Sequence, residues 1–273
     1  MVRSLCAAGL LLTADVPPVR AQPAGTPLAF EVVSVKPSTS GLTGVRGGCH
    51  GIDSRYSPNE AATAPSLGRC MISDARLSHL IVIAYGLNSI SGMSGIGLIE
   101  NAPDWVINGD ERFTIQAKAE DPTNVTQGQL LEMLQTLLAE RFKLRFHRRN
   151  LEMPGFALVA ARNGPKLQQA KGDETSRSSA SSMKPLADGP VTVNARRYSM
   201  GMLASLLSDL GPGGPVEDHT ELSGVHDFKL SWNDSTGPSV FTALQEQLGL
   251  RLERGKVTVS FFVFESAERP GEN

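Results

Sequence analysis

Residues 126–147 read TQGQLLEMLQTLLAERFKLRFH, and the period of the apolar residues changes inside that stretch. Thr126 and Gln129 stand at capping-box spacing, and Leu130, Leu131, Leu134, Leu137 and Leu138 recur every three or four residues. This predicts a helix with one apolar face. From Phe142 the period becomes two, with Phe142, Leu144 and Phe146 alternating with Lys143, Arg145 and His147. That pattern is a half-buried strand entered directly from a helix. Such a junction places the chain among α+β folds.

Working outward, Phe30 to Val35 is β-rich and ends at Lys36-Pro37, a first strand. Gly41 to Ser66 is rich in Gly, Ser and Pro and reads as an irregular loop. Asp74 can cap a helix carrying Leu77, Leu80, Ile81 and Ala84, which Gly86 ends. A long Gly-containing loop reaches Trp105, and Phe113, Ile115 and Ala117 then alternate as a strand. Downstream, Met153-Pro154-Gly155 reads as a turn before a short strand at Phe156 to Ala160. Lys171 to Gly189 has the Ser, Lys and Asp content of a flexible linker.

The order of elements then recurs. Val191 to Arg196 leads to a helix face of Met202, Leu203, Leu206, Leu207 and Leu210, much as Met71 to Arg76 leads to the first helix. Phe228-Lys229-Leu230 matches Phe113-Thr114-Ile115, Leu222-Ser223-Gly224 matches Ile90-Ser91-Gly92, and Leu244-Gln245 matches Leu134-Gln135. Strands are expected at Leu250 to Leu252 and Val257 to Phe264. The expected architecture is two related helix–strand–helix–strand–strand units, residues 28–170 and 190–268, joined by the linker at 171–189.

The N-terminus predicts a signal peptide over residues 1–21. Arg3 precedes an apolar run from Leu5 to Thr13, too short to span a bilayer, and Val19-Arg20-Ala21 offers a cleavage site. Of three cysteines, Cys6 falls in that leader. Cys49 and Cys70 then read as a disulfide closing a loop of about twenty residues, as suits an exported chain. The competing reading is a metal pair with His50, which supplies only three donors. The 273 residues carry a formal net charge of -2, without the basic excess of a nucleic-acid binder.

FEVVSVKPS near the start, LLEMLQTLLAERFKLRFHRRNLEMPGFALVAARNGPKL in the middle and PVEDHTELSGVHDFKLSW with ALQEQLGLRLE near the end resemble an uncharacterised family. The family consists of secreted proteins expanded in soil acidobacteria, some relatives being joined to a membrane metallopeptidase sensor. The resemblance implies compartment and fold and assigns no catalytic residue. This chain departs from the pattern at Glu221, where Gly is usual, and at Val225-His226, where a basic residue and Tyr are usual. Gly95 to Ala102 also lengthens the loop before Pro103-Asp104-Trp105. The rhythm of elements is distantly similar to the short N-terminal domains of outer-membrane secretins and receptors, a likeness of fold alone.

Chemistry-bearing residues are sparse. Ser181-Ser182-Met183-Lys184 spells Ser-x-x-Lys but lacks the partner motifs that chemistry requires. Asp218, His219, His226 and Asp227 cluster in sequence, yet a strand through them turns His226 and Asp227 to opposite faces. Glu132 and Glu140 lie about 12 Å apart along one helix, too far for a carboxylate pair. No catalytic set, cofactor or metal site is expected. The basic row Lys143, Arg145 and His147, extended by Arg141, Arg148 and Arg149, is the leading candidate surface, facing an envelope protein or an anionic polymer. Trp105, beside Pro103, could stack on a sugar ring and otherwise anchors packing, as does Trp232. The expected function is a non-enzymatic extracytoplasmic binding or interaction module. The alternatives are a cell-envelope hydrolase built around Trp105 and His226, and a sensory domain.

Overall fold

The structure, a computed structural model, describes residues 27–38, 44–54, 64–87, 95–170, 179–183 and 189–271. The expected leader at 1–21 lies outside the described residues, as do 171–178 and 184–188 of the expected linker. The fold is α+β. In chain order it runs β1 (Val32–Pro37), β2 (Arg46–His50), β3 (Arg69–Ala75), α1 (Leu77–Tyr85), β4 (Ile99–Glu100), α2 (Asp104–Ile107), β5 (Phe113–Lys118), α3 (Gln127–Arg141) and β6 (Arg145–Ala160). The second half continues with β7 (Gln168–Gln169), β8 (Ser179–Met183), β9 (Val191–Tyr198), α4 (Met200–Leu210), β10 (Val216–Asp218), β11 (His226–Trp232), α5 (Val240–Ala243) and β12 (Leu250–Ser266). A π-helical turn, Leu244–Leu248, leads from α5 into β12.

Helix α3 begins where the sequence places it. The Thr126 hydroxyl accepts the Gln129 N–H at 3.2 Å, the Gln129 side chain accepts the Thr126 N–H at 2.9 Å, and Asp53 accepts the Gln127 N–H at 2.6 Å. Three N-terminal amides without intrahelical partners are thereby satisfied. The helix buries Leu130, Met133, Leu134, Leu137 and Leu138, so Met133 takes the place expected for Leu131. Helix α1 starts later than expected. Asp74 is the penultimate residue of β3, and Arg76 is the N-cap.

Two strands run farther than their sequences suggest. Met153-Pro154-Gly155 forms no turn: β6 is one 16-residue strand, paired along its length with the 17-residue β12, Pro154 opposite Lys256 and Gly155 opposite Gly255. Proline is tolerated because, among the described residues, β12 alone pairs with β6 at that point; β10 joins β6 from Phe156. The expected loop at Gly41 to Ser66 contains β2, and Ser179–Met183, within the expected linker, pairs with β9.

Among the described residues three four-stranded sheets result. The first has order β1-β5-β3-β2 and the third β7-β11-β9-β8, so adding six to each label converts one into the other. The second, β10-β6-β12-β4, maps onto itself under the same operation. The correspondence extends to irregularities. The β3–β5 ladder slips between Ile72–Ile115 and Ala75–Phe113, and the β9–β11 ladder between Ala195–Phe228 and Tyr198–His226. The extra residues sit at positive φ, Asp74 at 57° and Arg197 at 50°. This geometry aligns Phe113 with His226, two residues away from the sequence matching of Phe113 with Phe228.

Two apolar cores lie on the β6–β12 ribbon. The first gathers α1, α3 and the first sheet, and Val259, Phe261, Phe262 and Phe264 from the end of β12 complete it. The second gathers α4, the π turn and the third sheet around Leu158 of β6 and Leu250 of β12. Each half therefore lends a strand to both cores.

Cys49 and Cys70 form a disulfide between directly opposed positions of β2 and β3, and both are buried. Replacing both with Ser should lower unfolding stability by about 3 kcal/mol, the loop-closure value for such a separation. Urea unfolding measures this, and an unchanged midpoint would mean that the bond constrains nothing the fold does not already hold.

Candidate functional site

The helix-to-strand junction builds the basic edge. Phe142 and Leu144 are buried, whereas Lys143 and Arg145 are exposed, as the two-residue period requires. Lys143 precedes β6 and adopts a left-handed backbone, φ 49°. The residue in the same place after the π turn is Gly249, φ 64°. Left-handed backbone disfavours any side chain bearing Cβ, by about 1 kcal/mol or more.

Beyond Arg145 the row divides. His147 hydrogen-bonds Glu265 at 2.8 Å, and Arg149 forms a two-point ion pair with Glu100 while lying over Phe261. Arg148 faces the other side of the ribbon, opposite Phe262 and close enough to Tyr85 to act on its phenol; burial is the larger influence there and raises that pKa. The expected single stripe is thus two faces, because successive strand residues alternate. Among the described residues, Lys143, Arg145 and Arg148 take part in no ion pair.

The C-terminal tail joins this edge to Trp105. The Glu268 N–H donates to the Phe142 carbonyl at 2.6 Å, and the next residue, Arg269, lays its guanidinium 4.8 Å from the Trp105 ring centre. Arg269 is held by both oxygens of Glu111 at 2.5 to 2.9 Å, and these hydrogen bonds raise its pKa. Trp105 is half-buried on α2, packed on the first core. The tail therefore touches the chain at Phe142, next in sequence to Lys143, and again at Trp105. Neither tail contact, Glu268 on Phe142 or Arg269 on Trp105, is signalled by any motif.

Other residues are dispersed. His226 is buried at the start of β11, its Nδ1 without a hydrogen-bond partner among the described residues, while the carboxylate of Asp227 accepts the Arg197 N–H at 2.7 Å. His219 approaches Glu217 at 3.2 Å, and Asp218 caps the Thr220 amide. His226 belongs to the third sheet and Trp105 to the first core, so the two do not converge. The imidazole of His50 meets the Pro65 carbonyl at 2.6 Å, and Cys49 is oxidised, which removes the metal-pair reading. Ser181 stands in extended strand β8, and Lys184 lies outside the described residues. Among the described residues no group of three His, Cys, Asp or Glu side chains could hold a metal ion, and no helix is long and apolar enough to cross a membrane.

The chain belongs to the DUF3738 family, described as proteins of unknown function, whose model matches residues 78–267. The match begins in α1 and ends in the tail after β12, covering the ribbon and both long-strand junctions. It leaves β1, β2, β3 and the disulfide outside. Searches of the curated proteins and of the solved structures return no match.

Proposed function

We propose that this protein is a non-enzymatic extracytoplasmic binding module that holds an anionic partner, an envelope protein or polymer, at the edge formed by Lys143 and Arg145. The observation that carries the reading is the backbone at Lys143. Five described residues other than Gly have positive φ. Asp74 is anchored by Ser38 and Arg46, Arg197 donates its N–H to Asp227, Asn101 is of a type that tolerates this region, and exposed Glu221 carries the wrong charge for an anionic partner. Lys143 has an exposed side chain with no ion pair, at a position its counterpart fills with Gly. A side chain kept against backbone preference and turned to solvent fits a role outside the fold.

Export is supported by the leader pattern and by the disulfide, a bond that persists in oxidising compartments. The paired sheet orders and matched bulges support an origin by internal duplication. An acidobacterial setting and a link to peptidase sensors rest on the resemblance alone.

Lys143→Gly separates binding from folding. It should raise stability by about 1 kcal/mol by relieving the left-handed position. It should also weaken recovery of the partner from native envelope extract, and Lys143→Glu with Arg145→Glu should abolish that recovery. Undiminished recovery by the double variant removes this edge from the account.

A further inference from the structure

The outward face of the first sheet makes a second candidate surface, one that the basic edge does not include. Antiparallel register sets Val32 opposite Lys118, Lys118 opposite Arg69, and Met71 opposite Gln116. Arg46 and Lys36 occupy the far corners, opposite Ser73 and Thr114. The inward positions of the same strands, among them Val35, Ile72, Ile115 and Cys70, are buried against α1 and α3, so the alternate positions must face solvent. Val32 is 55% exposed and Met71 43%, the two largest apolar exposures within this sheet.

No outward strand position of this face is Asp or Glu, although the chain as a whole is slightly acidic. Its other outward positions are Ser, Thr, Gln, Gly and His. Lys36 and Arg69 make no ion pair among the described residues. Lys118 is paired at 3.0 Å with Glu31, just before β1, and Arg46 with buried Asp74. The face is therefore cationic, with apolar Met71 at its middle and Val32 at one corner.

We propose that this face docks on a membrane surface containing anionic phospholipid. Three observations select that partner. The cations are spread in two dimensions over a flat area about 14 Å across, three strand spacings, rather than along a groove that would track a linear polymer. Exposed Met71 and Val32 offer apolar contact that an interface between headgroups and acyl chains accepts. The face carries no Phe, Tyr or Trp, so neither bases nor sugar rings find a stacking platform.

Sedimentation of the full chain with phosphatidylcholine vesicles, with and without 30% phosphatidylglycerol, tests this. Binding is expected only to the anionic vesicles, and it should fall as salt rises through the range where the screening length shortens. Neutralising two cations with Lys36→Gln and Arg69→Gln should weaken it about thirty-fold. Lys143→Gln with Arg145→Gln should leave it unchanged, which keeps this surface distinguishable from the basic edge. All variants carry the same leader, so differences among them report the sheet, and equal melting temperatures confirm folding. Equal binding to neutral vesicles, or undiminished binding by the Lys36 and Arg69 variant, overturns the proposal. Soluble anionic polysaccharide that binds through the same two residues while vesicles do not would assign the face to a polymer instead.

Discussion

Residues 27–170 expressed alone are expected to remain unfolded, even though they contain the whole first sheet, α1 and α3. The missing material is the end of β12, which inserts Val259, Phe261, Phe262 and Phe264 into the first core. Each apolar side chain contributes about 1.5–3 kcal/mol on burial, so the four together contribute about 6–12 kcal/mol. A domain's net stability is about 5–15 kcal/mol, and the loss is comparable with the whole. The fragment also exposes one entire edge of β6, a template for aggregation. Within the intact chain, Phe262→Ala tests the same junction. Phe262 is 1% exposed, stacked on Phe146 with ring centres 3.6 Å apart and in contact with Tyr85. Truncation there should cost about 3–5 kcal/mol. Far-ultraviolet circular dichroism and thermal unfolding of the fragment decide the larger claim. A cooperative transition in residues 27–170 alone would show two independent beads instead of halves joined through a shared ribbon.

That arrangement was only partly legible in the sequence. The local signals at α3 were strong because helix capping and apolar period agree, and both act within a few residues. The two-residue alternation from Phe142 also survived, since Phe142 and Leu144 do enter the core. What the sequence could not convey was which strand accompanies which. Pro154 and Gly155 are ordinary turn residues, and they continue a strand here only because β12, about a hundred residues away, pairs across them. The same long-range pairing fuses Leu250–Leu252 and Val257–Phe264 into one element. Strand β2, Arg46-Gly47-Gly48-Cys49-His50, has poor strand propensity, and its pairing with β3, tied by the disulfide, places it in the sheet. The positive-φ positions were equally hidden. Glu221 sits at φ 58°, a conformation that favours Gly and that no local sequence pattern marks. For the candidate site, Lys143 and Arg145 were visible as exposed alternates, whereas the continuation of the strand through Arg148 and Arg149 and their different partners required the pairing with β12.

Gly249→Ala is expected to destabilise the protein strongly, although it adds a single methyl group. The residue closes the π turn at φ 64° and delivers the chain into β12. Its carbonyl accepts the Ala161 N–H at 2.9 Å, and the neighbouring Leu248 carbonyl accepts the Lys166 N–H at 2.8 Å, so the 161–166 loop lies directly against it. A Cβ at this position would stand 2.2 Å from the Gly164 carbonyl oxygen and 2.9 Å from the Lys166 nitrogen, both backbone atoms that cannot swing aside. Left-handed backbone alone opposes Ala by about 1–2 kcal/mol. Displacing the packed loop adds about 1–3 kcal/mol. Lys143→Gly, at the matching junction of the first half, should change stability in the opposite direction. The pair therefore tests the equivalence of the two junctions by sign as well as size. Urea midpoints that fall for Gly249→Ala and rise for Lys143→Gly would support one shared backbone design, with glycine where only the fold matters and lysine where its side chain is used. A destabilised Lys143→Gly would instead make that lysine part of the fold, and the binding role argued from its backbone would lose its foundation.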